Sequence, residues 1–305
     1  MTLTRRRMLQ ASLAGAFLPL VPRWARAEIA LGDMRIDTLS DGHLVLPPDF
    51  IFGPMPQQAL PAVLAPFHIS LDTPLLPDCN LTLLRRGEDV VLFDAGAGLT
   101  FQDTAGKLPA ALDAIGLAPE EVTHVIFTHG HPDHLWGVLD DFDEPFFANA
   151  QHMMGKTEWD FWIDPQTADR IDAARTTFAI GARRRLEAME DAMLFFADGE
   201  EILPGVAARM TPGHTPGHMS FELRSGSESL MVLGDAISNH HVAFARPDWP
   251  SGSDQDTALA AATRVALLDQ IAAMQMPVIG FHLPGGGLGR AERDGSSYRF
   301  VAEGE

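Results

Sequence analysis

The 305-residue sequence has a single cysteine, Cys79, so no disulfide within the chain can support the fold. That lone thiol reads as a small buried apolar residue rather than a nucleophile or ligand. Basic residues are scarce, 22 Lys and Arg against 41 Asp and Glu, for a formal net charge of −19. Phosphate backbones are gripped mainly by Lys and Arg, so nucleic acid is excluded as a partner class. There is no Gly-x-Ser-x-Gly elbow, and with it goes the usual signature of a serine hydrolase. Tyrosine occurs once, as Tyr298. The longest early uncharged stretch, over 8–22, is too short and too rich in alanine for a good membrane-spanning helix.

That stretch has another reading. Arg5, Arg6 and Arg7 precede it, and Ala25-Arg26-Ala27 follows with small residues at the usual cleavage spacing. Paired arginines before Met8-Leu9-Gln10 are similar to a twin-arginine export signal, with an ordinary secretory signal as the alternative. Residues 1–27 are therefore expected to be an export segment handled by the export machinery. The remaining 28–305 would be one domain delivered to the periplasm or outside a bacterial cell. Hydrophobic residues make up 46% of the chain, enough for a sizeable core.

Beyond residue 30, strand and helix patterns alternate. Period-two or compact apolar runs predict strands over 34–39, 81–84, 90–93, 122–127, 206–210, 219–223, 230–233 and 277–280. Helical spacing predicts helices over 104–115, 168–193 (broken at Gly181) and 257–274. Proline- or glycine-rich loops are expected over 47–77, 246–252 and 283–290, and the first is a candidate arm for a homodimer. This order predicts an α/β fold of sheets covered by helices, neither a bundle nor a barrel.

The sharpest local signal is Thr128-His129-Gly130-His131-Pro132-Asp133-His134, which follows a buried strand directly. Four side chains able to bind metal fall within six residues. Imidazole nitrogen and carboxylate oxygen are the donors that zinc, iron, manganese and cobalt accept. Three further donors stand at strand ends: His214 in a turn of prolines and glycines, Asp235 after Leu233-Gly234, and His282 after Phe281. Any one of these alone would read as a cap or a surface residue.

Together the run at 129–134, His214, Gly234-Asp235 and His282 resemble the metallo-β-lactamase superfamily. Phe93-Asp94-Ala95-Gly96 looks like that family's Asp-x-Gly turn. The resemblance covers roughly residues 31–302 and implies an αββα sandwich of two mixed β-sheets covered by helices. It implies a hydrolase with two divalent metal ions, zinc first, with iron, manganese or cobalt as alternatives. On that pattern His129, His131 and His214 hold one ion, Asp133, His134 and His282 the other, and Asp235 bridges them. Asp235 and Asp133 are then the catalytic carboxylates that orient the attacking water, with Asp94 and His218 orienting ligands. His282-Leu283-Pro284, Gly287-Leu288-Gly289 and Tyr298-Arg299-Phe300-Val301 resemble the methyl parathion hydrolase group within the superfamily. From that likeness Phe101, Trp162 and Phe178 are expected to line a small-molecule substrate pocket.

The implied substrates are phosphotriesters, aryl esters or lactones. Many lactonases of the superfamily place a tyrosine shortly after the bridging aspartate, whereas here Asp235-Ala236-Ile237-Ser238 follows. An activated aryl substrate is therefore expected to outrun an unactivated lactone. His240 and His241 lie near enough in sequence to replace that donor, but are read as surface residues. A β-lactam hydrolase is the main alternative, and Asp235 argues against it because those enzymes generally lack a bridging aspartate. The superfamily's nucleases are disfavoured by the charge. Its di-iron redox proteins usually carry Glu where His131 stands. A non-catalytic metal-binding protein is disfavoured by the complete donor set.

Overall fold

The alternation seen over 34–39 extends at its C-terminal end. In the computed structural model, which describes residues 25–304, it becomes a ten-residue strand. The export segment expected over 1–27 lies outside the described residues except for 25–27, which begin the first strand. One sheet runs in chain order: β1 (Ala25–Leu31), β2 (Met34–His43), β3 (Asp78–Arg86), β4 (Asp89–Phe93), β5 (His124–Phe127), β6 (Gln151–Gly155) and β7 (Met193–Phe196). Its first four strands are antiparallel, and β4 to β7 are parallel. The other sheet also runs in chain order: β8 (Glu201–Leu203), β9 (Val206–Met210), β10 (Met219–Ser225), β11 (Glu228–Gly234), β12 (Pro277–Gly280), β13 (Leu288–Asp294) and β14 (Ser297–Ala302). Its only parallel pair among the described residues is β11 with β12.

Parallel neighbours need crossovers, and the helices supply them. The excursion between β2 and β3 carries α1 (Pro48–Phe52) and α2 (Leu60–Leu64). Next come α3 (Leu108–Ala114), α4 (Pro132–Leu135), α5 (Lys156–Ile163), α6 (Thr167–Arg170) and α7 (Thr176–Ala188). The second half adds α8 (Val242–Ala245) and α9 (Thr257–Met274). Between the sheets Ile36, Val91, Phe93 and Ile126 pack against Phe221, Leu223, Val232 and Ile279. The outer face of the first sheet is covered by Leu108, Leu135, Trp159 and Leu186, and that of the second by Leu267, Leu268 and Ile271. Two apolar sheet faces packed together, each backed by helices, give the four-layer αββα arrangement.

Three expectations need correction. The helix predicted over 104–115 begins only at Leu108. The buried carboxylate of Asp41 accepts the N–H groups of Ala97 (2.8 Å), Gly106 (3.2 Å) and Leu108 (2.7 Å), tying the preceding residues into a loop. The helix predicted over 168–193 breaks at 171–175 rather than at Gly181. There Asp172 caps a short turn by accepting from the N–H of Ala174 at 2.8 Å. Gly181 lies inside continuous α7 because a Cβ there would stand 2.4 Å from the Trp136 ring. Finally, the loop expected over 283–290 ends in β13, which pairs with β14 as an edge hairpin. Charged Arg290, Glu292 and Arg299 hide its period, as is common on sheet edges. Strands β1, β6, β7 and β8 also escape the sequence reading.

One buried group outside the donor cluster makes stability depend on pH. His152 on β6 is 2% exposed, neither ring nitrogen has a hydrogen-bond partner, and the ring stacks on Phe127. Burial holds its pKa down to about 4, against 6.5 unperturbed. The unfolded chain therefore binds the proton more readily. The contribution of His152 is complete above about pH 6.5 and is lost as pH falls toward 4. Urea unfolding of His152→Phe should show about 2 kcal/mol less loss between pH 7 and pH 4.5 than the wild type. Equal losses in the two proteins would remove His152 from the account.

Candidate metal centre

The compact apolar strand β5 ends in buried Phe127, and the chain turns immediately into the histidine run. His129 and His131 lie in that turn, and Asp133 and His134 on the single turn of α4. His214 comes from the loop between β9 and β10, Asp235 directly follows β11, and His282 follows β12. All seven donors are less than 10% exposed. The structure thus brings every expected donor to one edge of the sandwich, four from the first sheet and three from the second.

The donors form two facing groups. His131 Nδ1 lies 3.0 Å from His129 Nε2 and 2.9 Å from His214 Nε2, so three ring nitrogens point at one spot. Across from them His282 Nε2 lies 3.3 Å from Asp133 Oδ2, and His134 Nε2 lies 3.6 Å from the same oxygen. Asp235 reaches both groups. Its Oδ2 is 3.4 Å from His214 Nε2 and 3.3 Å from His282 Nε2, and its Oδ1 is 3.4 Å from His134 Nε2. Cys79 is wholly buried beside Asp133 and His282, and burial pushes its thiol up to about 12.

Outer partners fix the ring tautomers. His134 Nδ1 donates to Asp94 Oδ2 at 2.8 Å, His282 Nδ1 to the carbonyl of Asp78 at 2.7 Å, and His214 Nδ1 to Asp254 Oδ1 at 3.1 Å. Each ring thereby directs Nε2 toward the cluster, the orientation a metal ligand requires. Asp94 adopts a left-handed backbone (φ 68°), which aspartate tolerates, and also accepts from Thr128 N–H at 2.7 Å. His218 plays a different part from a ligand. Its Nε2 accepts the Asp235 backbone N–H at 2.9 Å, and its Nδ1 lies 2.8 Å from Thr211 Oγ1, so it sets the backbone that carries Asp235.

The electrostatics divide along the same line. Burial, reinforced by neighbouring histidines, holds His129 and His131 well below the usual imidazole range, so they are neutral donors. Burial works against charging His134, yet Asp235, Asp133 and Asp94 outweigh it and raise its pKa to about 10. Burial would raise the Asp235 carboxyl, but His282 and His134 pull it well below the carboxylate range. His134 Nε2, Asp133 Oδ2 and Asp235 Oδ1 are buried without a hydrogen-bond partner. Such groups carry a large desolvation penalty, and a multivalent cation between them would satisfy all three. The nitrogen and oxygen donor set suits zinc and its neighbours.

A cavity of about 380 Å³ opens above the cluster. The excursion between β2 and β3 roofs it through Phe50, Ile51, Ile69 and Leu75, and Phe101 and Phe178 form one wall, 5.9 Å apart edge to face. Trp162 departs from expectation. It is fully buried with its ring against Gly130 and its Nε1 donating to Glu158, so it supports the histidine turn and does not line the cavity. His240 and His241 also depart: both line the cavity beside Phe67 rather than the open surface. Asp254 and Glu158 were missed altogether. Glu158 left a faint signal, an acid set among Trp159, Phe161 and Trp162, while Asp254 left none.

Known proteins share the family and the fold. A family model described as the metallo-β-lactamase superfamily matches residues 76–273. The uncharacterized protein YobT of Bacillus subtilis (strain 168) is 29% identical over 165 residues, 54% of this chain and 64% of its own length. The chain therefore spans just under two thirds of that relative. A solved dizinc quorum-quenching lactonase, AidC, described in complex with a product N-hexanoyl-L-homoserine, superimposes with a TM-score of 0.84 at 26% identity, covering 92% of this chain and 97% of AidC. The hydrolase AbOPH, described as in the β-lactamase superfamily, superimposes at 0.83 with 28% identity, covering 91% and 97%.

Proposed function

This chain belongs to the metallo-β-lactamase superfamily as a metal-dependent hydrolase, and from that premise we propose that it opens lactones bearing an apolar substituent. The observation that carries the reading is Asp235, within 3.4 Å of both donor groups at the floor of a mostly apolar cavity. His129, His131 and His214 would hold one divalent cation, and Asp133, His134 and His282 a second, with Asp235 shared. Zinc is the first choice, since AidC is described as a dizinc enzyme. When bound, such ions supply Lewis acidity toward an acyl oxygen and make water more acidic.

The protein's own groups do the rest. The Asp235 and Asp133 carboxylates only accept hydrogen bonds, so they orient an attacking water through its hydrogens. Phe101, Phe178 and the roof residues Ile51 and Leu75 bind an apolar chain and exclude bulk water. Arg175 is the only Lys or Arg in the described lining, so a polyanionic substrate finds little to hold it.

A second reading, hydrolysis of aryl esters or phosphotriesters, draws on the Phe101–Phe178 wall, the likeness to AbOPH and the resemblance of the tail motif to the methyl parathion hydrolase group. Placing lactones first reverses the order expected from the missing tyrosine. The reason is that His240 and His241 stand at the cavity wall, where a neutral ring can donate to a carbonyl oxygen. A panel on zinc-loaded protein decides: an acyl lactone, an aryl ester, an aryl phosphotriester and a β-lactam. The lactone is expected to lead in kcat/KM by at least about tenfold, roughly 1.4 kcal/mol of transition-state discrimination. A phosphotriester or aryl ester turning over faster would hand the function to the second reading. A β-lactam in first place would sink both.

A further inference from the structure

The three histidines of the first donor group come from different sheets, His129 and His131 after β5 and His214 between β9 and β10. His131 Nδ1 nevertheless lies 3.0 Å from His129 Nε2 and 2.9 Å from His214 Nε2. The two loops are joined through α5. Glu158, buried at 0% exposure on that helix, takes the N–H of Gly130 at 2.9 Å and the Trp162 Nε1–H at 2.5 Å on one oxygen. Its other oxygen takes the Thr215 hydroxyl at 2.7 Å and the Gly217 N–H at 2.9 Å. Gly130 separates His129 from His131, and Thr215 follows His214.

Both loops lie flat against the helix. A Cβ on Gly130 would fall 2.5 Å from the Trp162 ring, and one on Gly217 would fall 2.2 Å from the Glu158 backbone nitrogen. Each loop lacks a side chain where it meets α5, and one carboxylate occupies the junction.

We infer that Glu158 is a positioning residue that sets the spacing of His129, His131 and His214, and so governs the affinity of that half of the centre alone. This rests on the two-cation reading above. Three of the four donors are N–H groups, which cannot reverse, so both oxygens must remain acceptors. A glutamine would turn an NH2 group toward a fixed N–H and release one loop. The second donor group is held by partners other than Glu158, His134 by Asp94 and His282 by the Asp78 carbonyl. Loss of Glu158 should therefore be felt on one side only.

The test is chelator competition on zinc-loaded wild type, Glu158→Gln and Thr215→Val, with melting of each protein in both loaded and stripped forms. The wild type should hold two ions. Glu158→Gln should release one of them about 10- to 100-fold more readily and keep the other at wild-type affinity. Thr215→Val removes one hydrogen bond and spares the carboxylate, so the same ion should loosen by a few fold. That variant carries the test if Glu158→Gln fails to fold. A merely structural role would lower the melting point of the stripped protein and loosen both ions together, and that result overturns the inference. So does a folded variant that retains both ions at wild-type affinity. A wild type holding fewer than two ions would sink the two-cation reading itself, a result distinct from unchanged binding in the variants.

Discussion

Replacing Asp235 by alanine is expected to lower turnover by about a thousandfold or more while leaving a folded protein. Asp235 is the carboxylate that reaches both groups, with contacts of 3.3–3.4 Å to His214, His282 and His134. Without it no group fixes the distance between the two halves or orients water between them. The backbone at 235 stays in place, because His218 holds the N–H of that residue rather than its side chain. The buried rings are not abandoned either, since Asp133 still faces His134 and His282. Turnover measured with circular-dichroism melting separates chemistry from folding. A variant that keeps more than about a tenth of wild-type activity would be incompatible with the role given to Asp235.

Stripping the cations is expected to abolish activity completely and to lower Tm by about 10 °C, with zinc restoring both. A ligand present at a thousand times its Kd stabilises the fold by about 4 kcal/mol. In a domain of this size, one kcal/mol moves Tm by about 2–4 °C. The stripped protein should nonetheless stay folded, because the cluster carries its own counterions. Asp235, Asp133 and Asp94 hold His134 charged up to about pH 10, and Asp235 and Asp133 keep His282 well above its usual range. Calorimetry before and after chelation, with activity followed in parallel, checks both halves. Full activity in metal-free protein would remove the hydrolytic reading.

The donor run at 129–134 was legible because its residues are local in sequence and follow a compact apolar strand. His214, Asp235 and His282 were legible as strand ends, since the loss of β periodicity next to a metal-competent residue can be read without coordinates. What stayed hidden depends on tertiary partners. Glu158 looks like one acid on a short helix, and only the packing of two loops onto α5 shows that it is wholly buried. Trp162 was misplaced because an aromatic under a turn and an aromatic in a cavity share the same sequence context. Gly181 reads as a helix breaker on propensity, whereas the ring of Trp136, 45 residues earlier, decides its identity. The hairpin of β13 and the edge strand β14 is hidden by the charges it carries.

The excursion between β2 and β3 has a consequence for how such an enzyme changes over time. The two strands keep pairing past their regular ends, to Leu46 and Leu75, whose backbone groups exchange hydrogen bonds of 2.8 and 2.9 Å. A tight turn could close the ladder there, so residues 47–74 act as an insert at a hairpin tip. That insert has its own small core of Ile51, Phe52, Leu60 and Leu64, set on Val242 and Trp249. It supplies much of the cavity roof and none of the seven donors. Roof and centre can therefore vary separately: a lineage could exchange this cassette and acquire a new substrate range while inheriting its hydrolytic machinery unchanged.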